Sequence, residues 1–464
     1  MIMKSLYESI LKHPNRKAVV VEDKSYTYKK FWDYISSYSL YFKKEINNQK
    51  PVGIYMPNSP EYLFTYYGLI KMGCIPMLID HTFTDEELKR LCIQYGIDTV
   101  VSWHEKRITL RRMSLPSEKS YPKFPSEIAT CRFTSGTTGV PKCLMFTDDA
   151  ILNAAKNWGI SINISKQDKV LCTALFNNGL AFNTSLLTTF LNGATLYLHN
   201  TLTPKTLWDK VSQENITVLV AYPILYEMLT NTSSIPDYHS LRLCISSAAP
   251  LHETIKKKFK QNVGVDICDY YASAEVGPAT FNDGSDLYSS GKAATGVKIR
   301  IATSEGIHYD NTEIGNIQVK TSSMAYGYYN SPTSITDSIT PDGFYKSSDR
   351  GWIENGHLYV LSRTDDIINV AGKKVDPVEI ENVLIKMDGI KDIAVIGCKN
   401  KKNTSEYPVA FYVAAYEIDL KNFSLYCEDK LAPYKLPQRY IKIDSIPKNS
   451  AGKIFRNKLK KICD

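Results

Sequence analysis

Short apolar runs alternate with amphipathic stretches through most of the chain, and this alternation constrains the fold more than any other feature. Residues 18–21, 52–56, 99–102, 169–173, 195–198, 218–221 and 241–245 have the length and composition of buried strands. Between them, residues 28–44, 85–95 and 204–214 are amphipathic and read as helices. Strands alternating with helices predict α/β layers built on mostly parallel sheets. From about residue 291 the texture changes: 298–302, 315–320 and 357–361 are closely spaced strands separated by Gly-containing turns, the pattern of a small, largely antiparallel β-barrel or sheet.

A domain boundary is expected at the polar run Ser362, Arg363, Thr364, Asp365 and Asp366. Beyond it, residues 376–387 read as a helix with Pro377 in its first turn, where the missing N–H costs nothing. Strands at 393–398 and 409–414 and a helix at 420–430 follow, enough for a small α+β domain with its own core. The predicted division is therefore residues 1–361 and 362–464.

Composition narrows the function classes. A hydrophobic fraction of 43% and a charged fraction of 22% are ordinary for a globular protein. The formal charge of +8 comes from Lys and Arg scattered along the chain rather than gathered in a stripe, so no nucleic-acid partner is expected. The ten cysteines show no CxxC and no Cys/His spacing of a zinc site, which predicts buried free thiols rather than a disulfide framework. Lys4 and Glu8 stand where a signal peptide needs an apolar run. The most apolar stretch, 62–79, is interrupted by Gly68, Lys71, Gly73 and Pro76, so no transmembrane segment is expected and the location is expected to be cytoplasmic.

The most informative segment is Thr134, Ser135, Gly136, Thr137, Thr138, Gly139, Val140, Pro141 and Lys142. Two glycines allow a tight turn and a close approach to an anion, four hydroxyls add donors, and Lys142 adds a positive charge. The spacing is not that of a Walker loop. In its order this segment resembles the phosphate loop of the adenylate-forming superfamily, which includes acyl- and aryl-CoA synthetases, luciferases and the adenylation domains of peptide synthetases.

Further matches follow in that family's order. Ser246, Ser247, Ala248, Ala249, Pro250 and Leu251 resemble the segment lying along the adenine, with small Ser and Ala in place of glycines. Tyr271, Ala272, Ser273, Ala274 and Glu275 are similar to Tyr-Gly-x-Thr-Glu, which implies that Tyr271 packs on adenine and Glu275 helps hold Mg2+. Ala274 stands where the family has a phosphate-touching Thr, a contact that is lost or taken over by Ser273. In the run from Tyr345 to Gly351, Asp349 resembles the ribose-binding carboxylate; Arg363 matches the ribose-binding arginine and Asp365 the pivot between domains. Lys453, preceded by Gly452, resembles the lysine that stabilises charge on the α-phosphate during adenylation, and Gly372 the thiol-facing glycine.

The resemblance implies an ATP- and Mg2+-dependent ligase with a mobile lid. It activates a carboxylic acid as an acyl-adenylate and passes the acyl group to a thiol, coenzyme A first among the acceptors. A stand-alone ligase loading a carrier protein, an amino-acid-adenylating enzyme and a non-catalytic nucleotide-binding relative are the alternatives. Two departures bear on them. Residues 174–180 lack the His found in many acyl-CoA synthetases, and Asn369 stands where a Lys is usual. Phe182, Asn183, Thr184 and Ser185 resemble the amino-acid pocket motif Phe-Asp-x-Ser, except that Asn183 replaces the amine-pairing Asp.

Overall fold

Helix ends are set by local chemistry that the sequence announces. Thr84 and Glu87 form a reciprocal capping box at the start of helix Asp85–Tyr95, and Gly96, at φ +68°, closes it in the left-handed region. Thr27 caps helix Tyr28–Glu45, and Thr203 with Pro204 opens helix Pro204–Gln213. These three helices coincide with the stretches read as amphipathic, to within one residue at each end. The computed structural model describes residues 1–46, 50–104, 107–134, 141–199, 203–247, 251, 253–331, 334–363, 366–370, 373–399, 406–428, 430–448 and 454–463.

The chain forms two units: Met1–Ile299 with Val319–Lys346, and Arg300–Gln318 with Ser347–Asp464. The first contains two seven-stranded sheets. One has the order Ile267–Asp269, Leu243–Ser246, Val218–Ala221, Lys169–Cys172, Thr195–Leu198, Lys17–Val21 and Lys24–Thr27, and only the last pairing is antiparallel. Its central strands Val218–Ala221 and Thr195–Leu198 are buried at every residue, as expected of parallel strands covered on both faces. Trp208, Tyr226 and Phe259 pack against one side of this sheet.

The second sheet runs Gly327–Tyr329, Cys143–Thr147, Ile128–Phe133, Ile75–Leu78, Pro51–Tyr55, Thr99–His104 and Arg107–Arg112. Its four middle strands are mutually parallel, and antiparallel strands extend it at both edges.

In the second unit, strands Tyr345–Glu354 and His357–Arg363 pair antiparallel, as do Val297–Ala302 and Ile307–His308, where the sequence predicts close-spaced strands. Further along, Ile390–Lys399 pairs antiparallel with Glu406–Ala414, which pairs parallel with Arg439–Lys442. Helix Pro377–Leu384 starts as predicted, with Asp376 as its N-cap and Pro377 in its first turn. Together with helices Leu420–Glu428 and Arg456–Cys463 these strands make a small α+β unit whose core includes Ile380, Val395, Tyr412 and Phe423.

One expectation is corrected. Cys398 and Cys463 are joined in a disulfide, although their sequence separation is 65. The pairing follows from helix Arg456–Cys463 lying against strand Ile390–Lys399, a tertiary contact that no cysteine spacing announces. Cys74, Cys92, Cys131, Cys143, Cys172, Cys244, Cys268 and Cys427 are buried free thiols, as expected.

Candidate functional site

The segment 134–142 connects two neighbouring antiparallel strands of the second sheet. Strand Ile128–Phe133 delivers Thr134, strand Cys143–Thr147 departs after Lys142, and the Thr134 N–H donates to the Lys142 carbonyl at 2.9 Å. The base of the loop is thus pinned by the same antiparallel ladder that builds the sheet. Ser135, Gly136, Thr137, Thr138 and Gly139 lie outside the described residues, as do Ala248, Asp365, Gly372 and Lys453.

From that base a short chain of contacts runs to Glu275. The Lys142 ammonium lies over the Tyr328 ring, 5.0 Å from its centroid, and the Tyr328 hydroxyl donates to Glu275 Oε1 at 2.8 Å. Burial pushes the Tyr328 phenol well above its usual range, and the Glu275 carboxylate pushes it further, so it stays a proton donor. Tyr328 is the residue that sequence reasoning missed. It is 53 residues from Glu275 and belongs to the edge strand Gly327–Tyr329, and nothing in its neighbourhood marks it.

Glu275 itself is presented by a hairpin. Ala272 and Ser273 pair antiparallel with Pro278 and Gly277, and Gly277 has φ +74°, a conformation that L side chains rarely adopt. The Ser273 hydroxyl accepts from the Val276 N–H at 3.4 Å across the turn, and the Glu275 carbonyl accepts from Ala325 N–H at 2.7 Å. Tyr271 precedes the hairpin with its backbone fixed at both ends: its N–H donates to Thr280 Oγ1 at 2.9 Å, and its carbonyl accepts from Ala279 at 2.8 Å. Its ring is buried. Nearby in sequence to residues 248–250, Ser246 Oγ is buried without a hydrogen-bond partner among the described residues.

In the second unit, Asp349 and Arg363 face one another across the antiparallel pair, with Arg363 Nε 3.7 Å from Asp349 Oδ1. Both side chains keep part of their surface open to solvent, and the Asp349 N–H is held by Ser347 Oγ at 3.2 Å. Residues 449–453 are bracketed by a bridge between Lys448 and Ile454 and by the Phe455 N–H donating to the Pro447 carbonyl at 2.8 Å.

Asn183 is buried, and its Nδ2 donates to the Gly179 carbonyl at 2.9 Å. A neutral amide engaged with backbone offers no charge partner to an α-ammonium group. Among the described residues there is no cluster of three or more side chains able to ligate a metal. A Mg2+ ion here would therefore depend on the single carboxylate of Glu275 and on phosphate oxygens, which is how Mg2+ commonly binds nucleotides. No helix among the described residues is long and apolar enough to cross a membrane.

The sequence pattern of the family described as AMP-binding enzyme matches residues 6–329, and that of its C-terminal domain matches 379–453. The chain belongs to the AMP-binding enzyme family. Among similar proteins, YhfT of Bacillus subtilis, described as an uncharacterized acyl–CoA ligase, is 27% identical over 97% of this chain and 95% of its own. The long-chain-fatty-acid–CoA ligase FadD13 of Mycobacterium tuberculosis is 26% identical over 88% of this chain and 87% of its own. In fold, the o-succinylbenzoate CoA synthetase of Bacillus subtilis, solved with its acyl-adenylate, superposes with a TM-score of 0.86 at 21% identity, covering 98% of this chain and 97% of that one. ATP-bound MatB from Rhodopseudomonas palustris gives 0.88 at 20% identity, covering 100% and 99%.

Proposed function

We propose that this AMP-binding enzyme is an acyl-CoA synthetase. Its carboxylic acid attacks the α-phosphate of ATP, pyrophosphate leaves, and the acyl-adenylate is then opened by the thiol of coenzyme A with release of AMP. The observation that carries this reading is the contact chain from Lys142 through Tyr328 to Glu275, which sets a cation and an oriented carboxylate at the mouth of a Ser/Thr/Gly loop. The CoA-ligase relatives support coenzyme A as the acceptor.

Each side chain has a physical task in this scheme. Thr134, Ser135, Gly136, Thr137, Thr138, Gly139 and Lys142 hold phosphate through amides, hydroxyls and one ammonium. Tyr271 and the backbone at Ala248, Ala272 and Ser273 receive the adenine and α-phosphate, and Asp349 with Arg363 binds the ribose hydroxyls. Glu275 fits Mg2+, which when bound neutralises phosphate charge; Tyr328 fixes which carboxylate oxygen faces it. Lys453 stabilises the charge that builds on the α-phosphate, a differential interaction with the transition state. No covalent nucleophile is required, because positioning and charge stabilisation carry the chemistry. Residues 362–464 act as a lid that turns about Asp365, withdrawing Lys453 and presenting Gly372 for the thiol step.

The test is pyrophosphate exchange and AMP release across fatty, aryl and amino acids, with and without coenzyme A. Exchange with an acid alone and thioester formation only with coenzyme A are expected. Exchange without any thioester would leave adenylation but remove coenzyme A as the acceptor.

A further inference from the structure

The first unit buries a cation that has no ion-pair partner among the described residues. Arg132, in the strand Ile128–Phe133 that feeds the phosphate loop, is only 7% exposed. Its Nε is enclosed without a hydrogen-bond partner, and among the described residues no carboxylate lies within ion-pair distance of its guanidinium. The group is surrounded by aromatic rings: its central carbon lies 4.8 Å from the Phe182 ring centroid and 5.8 Å from that of Phe146. Gly179 makes room for it, since a Cβ there would stand 3.0 Å from Nη2. The Tyr62 hydroxyl, on helix Pro60–Lys71, is also buried without a partner.

Burial brings the Arg132 pKa down to about 10, which leaves it charged at neutral pH. The groups in its field are, in order, the phenols of Tyr270, Tyr66 and Tyr62 and then the Glu275 carboxylate. Burial pushes all three phenols up, so they are neutral, and the one formal negative charge among these groups, the Glu275 carboxylate, is not within ion-pair distance of the guanidinium. A desolvated cation costs more than ring contacts return, and interiors normally give such a group an anionic partner. Among the described residues no such partner is in contact with it, which leaves that place to a ligand.

Two further features connect that ligand with the acid that is activated. Phe182, the ring nearest the guanidinium, opens the segment Phe182–Thr188, which is wound as a π-helix, a distortion frequent at functional sites. Arg132 also stands two residues before Thr134, on the strand that leads into the loop, with its side chain buried. A carboxylate reacting at the phosphate loop therefore leaves Arg132 to be reached by the other end of the molecule. We propose that Arg132 is the specificity-determining residue for the acid, and that the acid carries a second anionic group, as a dicarboxylate does, which Arg132 receives as a charge-assisted, two-pronged hydrogen-bond partner. The proposal rests on the acid-activating reading above.

The experiment compares wild type, Arg132→Met and Arg132→Lys in pyrophosphate exchange with matched pairs: butanoate and succinate, hexanoate and adipate, benzoate and isophthalate. Wild type is expected to favour the dicarboxylate of at least one pair by about a hundredfold in kcat/KM. Arg132→Met should reverse that preference while keeping exchange with the monocarboxylate, and Arg132→Lys should retain part of it. Thermal unfolding supplies a readout independent of turnover. The favoured dicarboxylate should raise the melting temperature of wild type and not of Arg132→Met. Without ligand, Arg132→Met should melt no lower than wild type, because it removes an uncompensated charge. A lower melting temperature with equal loss for every acid would make Arg132 a packing residue and overturn the proposal. Equal use of both members of every pair by wild type would overturn it too and leave the acid-activating function standing. Absence of exchange with any acid would remove both.

Discussion

Arg456 grips Glu381 with two nitrogens, Nη1 to Oε1 at 2.6 Å and Nη2 to Oε2 at 3.1 Å, at the start of the helix that follows Lys453. The same guanidinium has Nε 3.5 Å from Asp366, one residue past the proposed pivot. One side chain thus ties helix Pro377–Leu384, the pivot segment and the C-terminal helix together. Burial pushes the Glu381 carboxyl up, and the Arg456 charge and hydrogen bonds oppose that shift. Glu381→Gln, which leaves a buried guanidinium short of a counter-charge, should cost the second unit about 3–5 kcal/mol. Replacing both residues by Met should restore much of the loss. Denaturant titration of wild type and these two variants checks this, and Glu381→Gln as stable as wild type would show the pair to be dispensable.

The Tyr328 hydroxyl aims the Glu275 carboxylate by donating to its Oε1. Tyr328→Phe keeps the ring under Lys142 and removes the hydrogen bond to Glu275. The expected result is a rise of about ten- to a hundredfold in the Mg2+ concentration needed for half-maximal pyrophosphate exchange, with stability little changed. An unaltered Mg2+ dependence would detach Glu275 from the metal.

How far the sequence reaches can be judged from particular elements. The helix Asp85–Tyr95 was legible because its start and stop are local: Thr84 and Glu87 cap each other, and Gly96 supplies the positive φ. The run 241–245 instead became strand Leu243–Ser246. Arg242 is drawn into a bond with Asp168, 74 residues away, and the strand begins at Leu243, two residues later than the run. The site divides in the same way. Glu275 and Asp349 could be read from ordered motifs, whereas Tyr328, the Cys398–Cys463 pair and the encircling of Arg132 by rings from distant segments depend on tertiary neighbours. Arg132 left one trace in the sequence, a charge inside an otherwise uncharged strand.

Asp168 gives a pH prediction. Its carboxyl is buried, which pushes its pKa up, but Arg242, the Ser165 N–H and the Thr217 hydroxyl together bring it below the usual 3.8. A depressed folded-state pKa contributes stability that is present above the unfolded value and lost as pH falls through the folded one. Wild type should therefore lose stability below about pH 4, and Asp168→Asn should be weaker by about 1.5–3 kcal/mol at neutral pH, with the difference narrowing in acid. Equal acid sensitivity of the two proteins would assign the loss to other carboxylates.

Asp349→Ala removes a carboxylate that is paired with Arg363 and partly open to solvent, so the fold should survive. Loss of two charge-assisted hydrogen bonds to a ribose should weaken ATP by about ten- to a hundredfold. Calorimetric titration with ATP measures this directly, and wild-type affinity in the folded variant would remove the ribose assignment.

Lys453 carries the most exposed claim, because its role depends on one chemical step and not on the other. Only the adenylation step reacts at phosphorus, with charge on a five-coordinate α-phosphate and on the departing pyrophosphate; in the thiol step the acyl carbonyl is attacked and AMP is the leaving group. An ammonium supplied for the first step should therefore matter little to the second. The bridge from Lys448 to Ile454 and the Arg456–Glu381 pair hold both flanks of residues 449–453, so Lys453→Ala should change a charge and not the unit that carries it. Pyrophosphate exchange is expected to fall by about a hundred- to a thousandfold, the scale for losing one preorganised transition-state contact. Thioester formation from supplied acyl-adenylate should fall less than about tenfold, by the same reasoning. Equal losses in both half-reactions, in a variant that melts like wild type, would show that Lys453 serves binding common to the two steps, and the case for a lid that exchanges one chemistry for another would lose its motive.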